Sequence, residues 1–179
     1  MQNYRPVSLT SILCKSLQKI IRAHICQHLL QHSMLSPAQH GFLKNRSCLT
    51  NLLCFLDEVT RRLDEVKQVE VCYLDFSKAF DSVNHRLLLR KMETFGISGQ
   101  IYRWLEDFLS RRTFYVKVGD RCSSLVNVTS GVPQGSVLGP VLFLLFINDL
   151  ASTLQSPSFI FAEDVKIVGS RGMPTWAGK

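Results

Sequence analysis

Three acidic residues stand where a folded chain can make chemistry of them. Asp75 closes the apolar run that begins at Val69, and Glu163-Asp164 sit between Phe161-Ala162 and Val165 in a second short apolar stretch. A carboxylate at a strand end, beside others on a neighbouring turn, is how a fold builds a divalent-metal site from oxygen ligands. Two such carboxylates ~4 Å apart repel by about 4 kcal/mol at an effective dielectric of 20, so the cluster demands cations. Two metals ~3.5–4 Å apart can activate an attacking hydroxyl and stabilise the oxygen that leaves opposite it. The plain alternative is a helix-capping aspartate and a solvated turn. Residue types alone leave both readings open.

The surrounding pattern predicts the elements that position these groups. Thr10 or Ser11 caps a helix running to about His32, with Ile12, Leu13, Leu17, Ile20, Ile21, Ile25 and Leu29 at helical spacing. Ser36-Pro37 breaks it, and a loop with Gly41, Lys44, Asn45 and Arg46 leads to a second helix from about Cys48 to Val66. The apolar face of that helix is Leu49, Leu52, Leu53, Leu56, Val59 and Leu63. Val69 to Phe76 reads as a buried strand. Helices follow over about His85–Phe95, closed by Gly96, and Ser98–Ser110. Strands over Phe114–Val118 and Ser124–Thr129 flank Gly119-Asp120-Arg121 as a hairpin. The cluster Gly131 to Gly135 opens a long apolar helix to about Leu150. Ser158–Ile160 and Val165–Val168 form a last hairpin around Ala162-Glu163-Asp164. With no repeat and no linker, residues 1–169 are expected to form one α+β unit.

Composition narrows the partners. The chain has 179 residues, 46% of them hydrophobic, and a net charge of +7, which suits a globular protein with a polyanionic partner. Its six cysteines form no CxxC pair and read as reduced thiols of an intracellular protein, in cytoplasm or nucleus. His24, His28 and His32 share one helical face. No acidic or cysteine ligand follows at a useful spacing, so a solvated or backbone-facing stripe is expected rather than a metal site. The residues after Met1 are polar, and the run Val137–Ile147 is too short to span a bilayer, so no leader and no membrane association are expected.

The wording of the motifs carries a family resemblance. Leu74-Asp75-Phe76-Ser77-Lys78-Ala79-Phe80-Asp81 resembles motif A of the polymerases of non-LTR (LINE-type) retrotransposons. Gly131-Val132-Pro133-Gln134-Gly135-Ser136-Val137-Leu138-Gly139-Pro140, with Phe143 and Asn148-Asp149-Leu150 beyond, resembles motif B and the helix behind it. Phe161-Ala162-Glu163-Asp164 stands where motif C belongs. Asn3 to Leu9, Gln39-His40-Gly41-Phe42 and Asn45-Arg46-Ser47 resemble the finger motifs. The five motifs keep family order nearly to Val168.

The resemblance implies a reverse transcriptase, an RNA-directed DNA polymerase and thus a nucleotidyltransferase, built as a right-hand palm with partial fingers. It implies Asp75, Glu163 and Asp164 as catalytic carboxylates and ligands of two Mg²⁺ ions, with Mn²⁺ as a substitute. Phe76 would lie against the incoming triphosphate. Phe80 would be the gate that blocks a 2′-hydroxyl, its plain alternative being core packing. Gln134 and Gly135 would pack under the incoming nucleotide, where glycine permits close backbone approach. Arg5, Lys15 and Arg46 would contact the triphosphate, or else be solvated charges. The implied partners are an RNA template, a DNA primer and deoxynucleoside triphosphates, and no protein partner is indicated.

Two departures qualify that picture. The family pattern has two aspartates in motif C, and Glu163 replaces the first. Mg²⁺ demands near-octahedral geometry at ~2.0–2.1 Å, so a carboxylate moved outward by one methylene suits it badly. The chain also begins inside the first finger motif and ends soon after motif C, so a missing thumb and an atypical tail over 170–179 are expected. Both departures fit a truncated, catalytically impaired copy. The competing readings are a nucleic-acid-binding remnant without turnover and a related polymerase of the group II intron maturase or viral replicase type.

Overall fold

The structure, a computed structural model, describes residues 7–66 and 68–169. Arg5 and the expected tail 170–179 lie outside the described residues. In chain order the elements are α1 (Ile12–Gln31), α2 (Cys48–Val66), β1 (Glu70–Asp75), α3 (His85–Thr94) and α4 (Gly99–Leu109), then β2 (Thr113–Phe114), β3 (Lys117–Val118), β4 (Arg121–Cys122) and β5 (Val126–Asn127), and finally α5 (Gly139–Ile147), α6 (Leu150–Thr153), β6 (Ser158–Phe161) and β7 (Asp164–Gly169). The described residues form two compact units, 7–34 with 78–146 and 35–66 and 68–77 with 147–169. The crossings at 34/35, 77/78 and 146/147 fall at no linker-like composition, which is why sequence does not announce them.

The first unit is mostly helical. Ser11 begins α1 as expected, its Oγ accepting from the Cys14 N–H at 3.2 Å. Its buried stripe is Gln18, Ile21, Ile25 and Leu29, while Ile12, Leu13, Leu17 and Ile20 of the expected face are exposed. Asn84 caps α3 by accepting from the Leu87 N–H, and the helix stops at Phe95 ahead of Gly96. His28 bonds the Phe95 carbonyl through Nε2 at 2.7 Å, tying α1 to the end of α3. His32 bonds the His28 carbonyl through Nδ1. These two histidines serve backbone, as the sequence suggests.

The β2–β5 and β3–β4 pairs make one nested hairpin closing on Gly119-Asp120. In α5, Val141 through Leu145 are all buried, and each such aliphatic or aromatic side chain contributes about 1.5–3 kcal/mol. This helix starts later than expected. Ser136 Oγ accepts from the Gly139 N–H at 2.9 Å and donates to the Pro133 carbonyl at 2.7 Å, so residues 131–138 are a braced loop and the helix begins at Gly139. It also ends early, at Ile147, with the short α6 following.

The second unit is a three-stranded antiparallel sheet, in the order β1-β7-β6, with α2 and α6. Central β7 buries Val165, Ile167 and Val168, and Val165 and Ile167 cluster with Ile160 of β6, with Cys72, Leu74 and Leu154 packed around. As an edge strand, β1 is only half buried, and Tyr73 is 66% exposed, so the expected fully buried strand is not found. In α2 the inward side is Asn51 and Phe55, and Leu49, Leu52, Leu53, Leu56 and Leu63 point outward. Periodicity identifies an apolar face. It does not say which face the sheet takes. Phe55 packs edge-on against Phe159, ring centroids 5.8 Å apart.

Candidate functional site

In the second unit, Asp75 is the last residue of β1 and Asp164 the first of β7, and the antiparallel register sets them directly opposite each other. Opposed residues of an antiparallel pair have Cα atoms roughly 4.5–5.5 Å apart, so the two carboxylates share one end of the sheet. Both are exposed. Glu163 lies beside them in the two-residue turn Ala162-Glu163 that joins β6 to β7, half-buried. Asp164 thus belongs to the strand rather than to the turn expected of it. Phe76 follows β1 and is 39% exposed.

The donor set suits a small hard cation. Mg²⁺ is commonly held by one or two carboxylates, with water and substrate phosphate completing the octahedron. The Asp75–Asp164 pair meets that description. Among the described residues no three of His, Cys, Asp and Glu converge to hold a metal alone, so Glu163 does not complete a ready-made three-carboxylate cluster. A turn residue does not share the register that pairs the two aspartates.

The turn itself is strained and held. Ala162 has φ 54°, a left-handed conformation that costs a non-glycine residue roughly 1–2 kcal/mol, and it is 4% exposed. Its N–H donates to Gln39 Oε1 at 3.0 Å and its carbonyl accepts from Gln39 Nε2 at 3.4 Å. The same Oε1 accepts from the Gly41 N–H at 2.7 Å. Removing that oxygen would leave two buried N–H groups unsatisfied, at about 1–3 kcal/mol each. Arg46 is also occupied here. Its Nη1 donates to the Pro37 and Gln39 carbonyls, so the side chain braces the loop that carries Gln39. His40 bonds Thr50 Oγ1 through Nδ1. Burial, and then the charges of Arg46 and Lys166, hold its imidazole below its usual value.

In the first unit, Phe80 stacks on Phe143 of α5, centroids 4.3 Å apart and planes 16° from parallel. Its ring is half-buried and takes part in core packing. Gln134 Nε2 donates to Asp81 Oδ1 at 3.0 Å, and the Gln134 carbonyl accepts from the Ser8 N–H at 2.8 Å. Gly135 is exposed, with φ 85°, and a Cβ there would come 3.2 Å from the Ser8 carbonyl oxygen. Fully buried Gln18 of α1 accepts from the Val137 N–H at 2.9 Å. Arg112 Nη2 donates to Ser8 Oγ at 3.0 Å, and burial lowers its pKa from the usual guanidinium value. Lys15 is exposed on α1.

Four residues that hold these groups are not identified by spacing: Gln18, Gln39, Asp81 and Arg112. Each acts on a partner at least 53 positions away in the chain. The one signal available was that Gln39 and Asp81 lie within the quoted motif runs.

Several known proteins are similar to this chain. A family model described as reverse transcriptase (RNA-dependent DNA polymerase) matches residues 1–172. The RNA-directed DNA polymerase from mobile element jockey of Drosophila melanogaster is 32% identical over 152 residues, covering 84% of this chain and 16% of that protein. The probable RNA-directed DNA polymerase from transposon BS of the same species is 30% identical over 149 residues, covering 83% of this chain and 16% of that one. The chain thus spans about a sixth of the length of these relatives. Among solved structures, apo telomerase from Candida tropicalis superposes with a TM-score of 0.64 at 13% identity, over 89% of this chain and 35% of that one. That likeness supports a palm-like fold of mixed helix and sheet.

Proposed function

This chain belongs to the reverse transcriptase (RNA-dependent DNA polymerase) family, and from that premise we propose that it supplies the fingers and palm elements of a non-LTR retrotransposon polymerase whose chemistry is impaired at Glu163. The reaction would extend a DNA primer along an RNA template using deoxynucleoside triphosphates. The opposed pair Asp75 and Asp164 is the observation that carries the reading. A fold places two exposed carboxylates face to face at a sheet end only against their mutual repulsion, which a bound cation reverses.

Asp75 and Asp164 would hold divalent metal, which when bound polarises the phosphate and lowers the pKa of the attacking hydroxyl. Glu163 stands where the family pattern has an aspartate. Its longer side chain sets the carboxylate about 1 Å too far out, and misplacement of that size costs on the order of a hundredfold in rate. The half-buried ring of Phe80 is wedged by Phe143, so it would resist displacement by a ribose 2′-hydroxyl. Gln134, fixed by Asp81 and Ser8, would present the loop backbone to the nucleotide. Lys15 and the net charge of +7 would draw polyanions. Arg5, the other proposed triphosphate contact, lies outside the described residues. No helix among the described residues is long and apolar enough to cross a membrane.

Glu163 also favours a second reading, a nucleic-acid-binding protein without turnover. Mn²⁺ titration of the 179-residue chain, followed by the electron spin resonance signal of the free ion, separates the two. The polymerase reading expects binding that Asp75→Asn and Asp164→Asn each weaken at least tenfold. Binding unchanged by both substitutions would leave only the non-catalytic reading.

A further inference from the structure

The loop around Gln39 has no chemistry of its own, yet its placement is closely determined. The Ile160 N–H donates to the Ala38 carbonyl at 2.9 Å and the His40 N–H to the Ile160 carbonyl at 2.7 Å, so residues 38–40 lie as a parallel bridge along the free edge of β6. Gln39 is 3% exposed. Its amide reaches past Ile160 to the turn, where Oε1 accepts from Ala162 and Gly41 and Nε2 meets the Ala162 carbonyl. Two backbone N–H donors can be satisfied only by the amide oxygen, which fixes the orientation of the group. Gly41 closes the other side. A Cβ at that position would come 2.4 Å from the Ala162 nitrogen, so only glycine lets the loop approach this near.

We propose that Gln39 is a positioning residue for the metal-binding turn: by gripping both backbone groups of Ala162 it holds the left-handed conformation, and so sets where Glu163 and Asp164 stand against Asp75. Ala162 would otherwise relax towards negative φ, because its methyl group is the source of the strain. A change of φ at the first turn residue rotates everything after it, and the next two residues are the carboxylates. The bond therefore acts on metal affinity through the backbone. This inference rests on the metal-binding reading above.

The test compares the parent chain with Gln39→Met, which keeps the length of the side chain and removes its amide. The double variant Gln39→Met/Ala162→Gly is the decisive partner, because glycine adopts φ near 54° without a clamp. Two readouts are taken on the 179-residue chain: amide exchange at Ala162 by NMR, and the affinity for Mn²⁺ alone. Gln39→Met should speed exchange at Ala162 while leaving Ile167 protected. It should also weaken Mn²⁺ by about tenfold or more, the usual penalty for losing a group that orients a metal ligand. Ala162→Gly should restore most of that affinity without restoring the bond. Parent-like exchange and affinity in Gln39→Met, or a loss that glycine fails to recover, would overturn the proposal. If Gln39→Met does not fold, a double variant that folds and binds Mn²⁺ supports it, and one that also fails to fold shows Gln39 to be a general folding residue instead. Failure of the reading beneath is separately visible, as Mn²⁺ binding that is absent from the parent or indifferent to Asp75→Asn. The exchange rates would still report the clamp.

Discussion

Gly131→Ala should be among the most damaging single-methyl substitutions in the first unit. Gly131 has φ 89°, and an added Cβ would lie 2.8 Å from the Asp81 carbonyl oxygen and 2.9 Å from the Asp81 Cα. Both are backbone atoms, so no side chain can rotate out of the way. The loop cannot retreat freely either, because the Gly131 N–H donates to the Val83 carbonyl at 2.8 Å and its own carbonyl bonds His85 Nε2 at 2.8 Å. The left-handed conformation costs alanine roughly 1–2 kcal/mol. Overpacking adds about 1–3 kcal/mol, for a sum of about 2–5 kcal/mol. A domain stable by only ~5–15 kcal/mol feels that sharply.

Gly119→Ala separates the two contributions. Its φ is 58°, and a Cβ there meets nothing within 4 Å, so it should suffer the conformational cost alone. Urea unfolding, followed by Trp104 fluorescence in a Trp176→Phe background, reads both variants. With a slope of about 2 kcal/mol/M, the midpoint should fall by about 1–2.5 M for Gly131→Ala and by under about 1 M for Gly119→Ala. Equal shifts would show that the contact with Asp81 carries no energy.

Three further outcomes are expected. Because burial, Arg46 and Lys166 lower the pKa of folded His40 below its ordinary 6.5, the unfolded chain takes up that proton first; its contribution to stability is full above about pH 6.5 and is lost as pH falls through the folded value. Melting curves from pH 5 to 8 should show this slope, and His40→Gln should reduce it; a slope unchanged by the substitution would refute the assignment. Affinity for an RNA–DNA primer–template should fall linearly in log–log plots against salt, as counterion release requires, and salt-insensitive binding would count against a polyanionic partner. Glu163→Asp should raise Mg²⁺-dependent nucleotide addition by up to about a hundredfold in any chain context where addition is measurable, and no change would remove Glu163 from the site.

What sequence reveals of this molecule, and what it hides, divides along the range of the forces involved. Ser11 announces α1 because a cap acts within three residues, and the pairing of β6 with β7 is legible because a two-residue turn joins them. The pairing of Asp75 with Asp164 spans about half of the 179-residue chain. It was foreseen only because the order and wording of the motifs implied it, not because alternation or propensity could reach so far. The errors have the same origin. Gly131 to Leu138 looks like the start of a helix until Asp81, Gln18 and Ser8 take its backbone groups and side-chain amides, after which only Gly139 onward can wind. The leucines of α2 look like its inner face, and the sheet buries Asn51 instead, because Asn51 Nδ2 donates to the Ile160 carbonyl at 3.3 Å and Lys166 Nζ donates to its Oδ1 at 2.7 Å. Gln39 is the limiting case. In sequence it is a polar loop residue before a glycine, and its meaning lies in a strained alanine 123 positions later. A carboxylate that must be placed to a fraction of an ångström has to be held by groups fixed in the fold, and such groups carry no local signature.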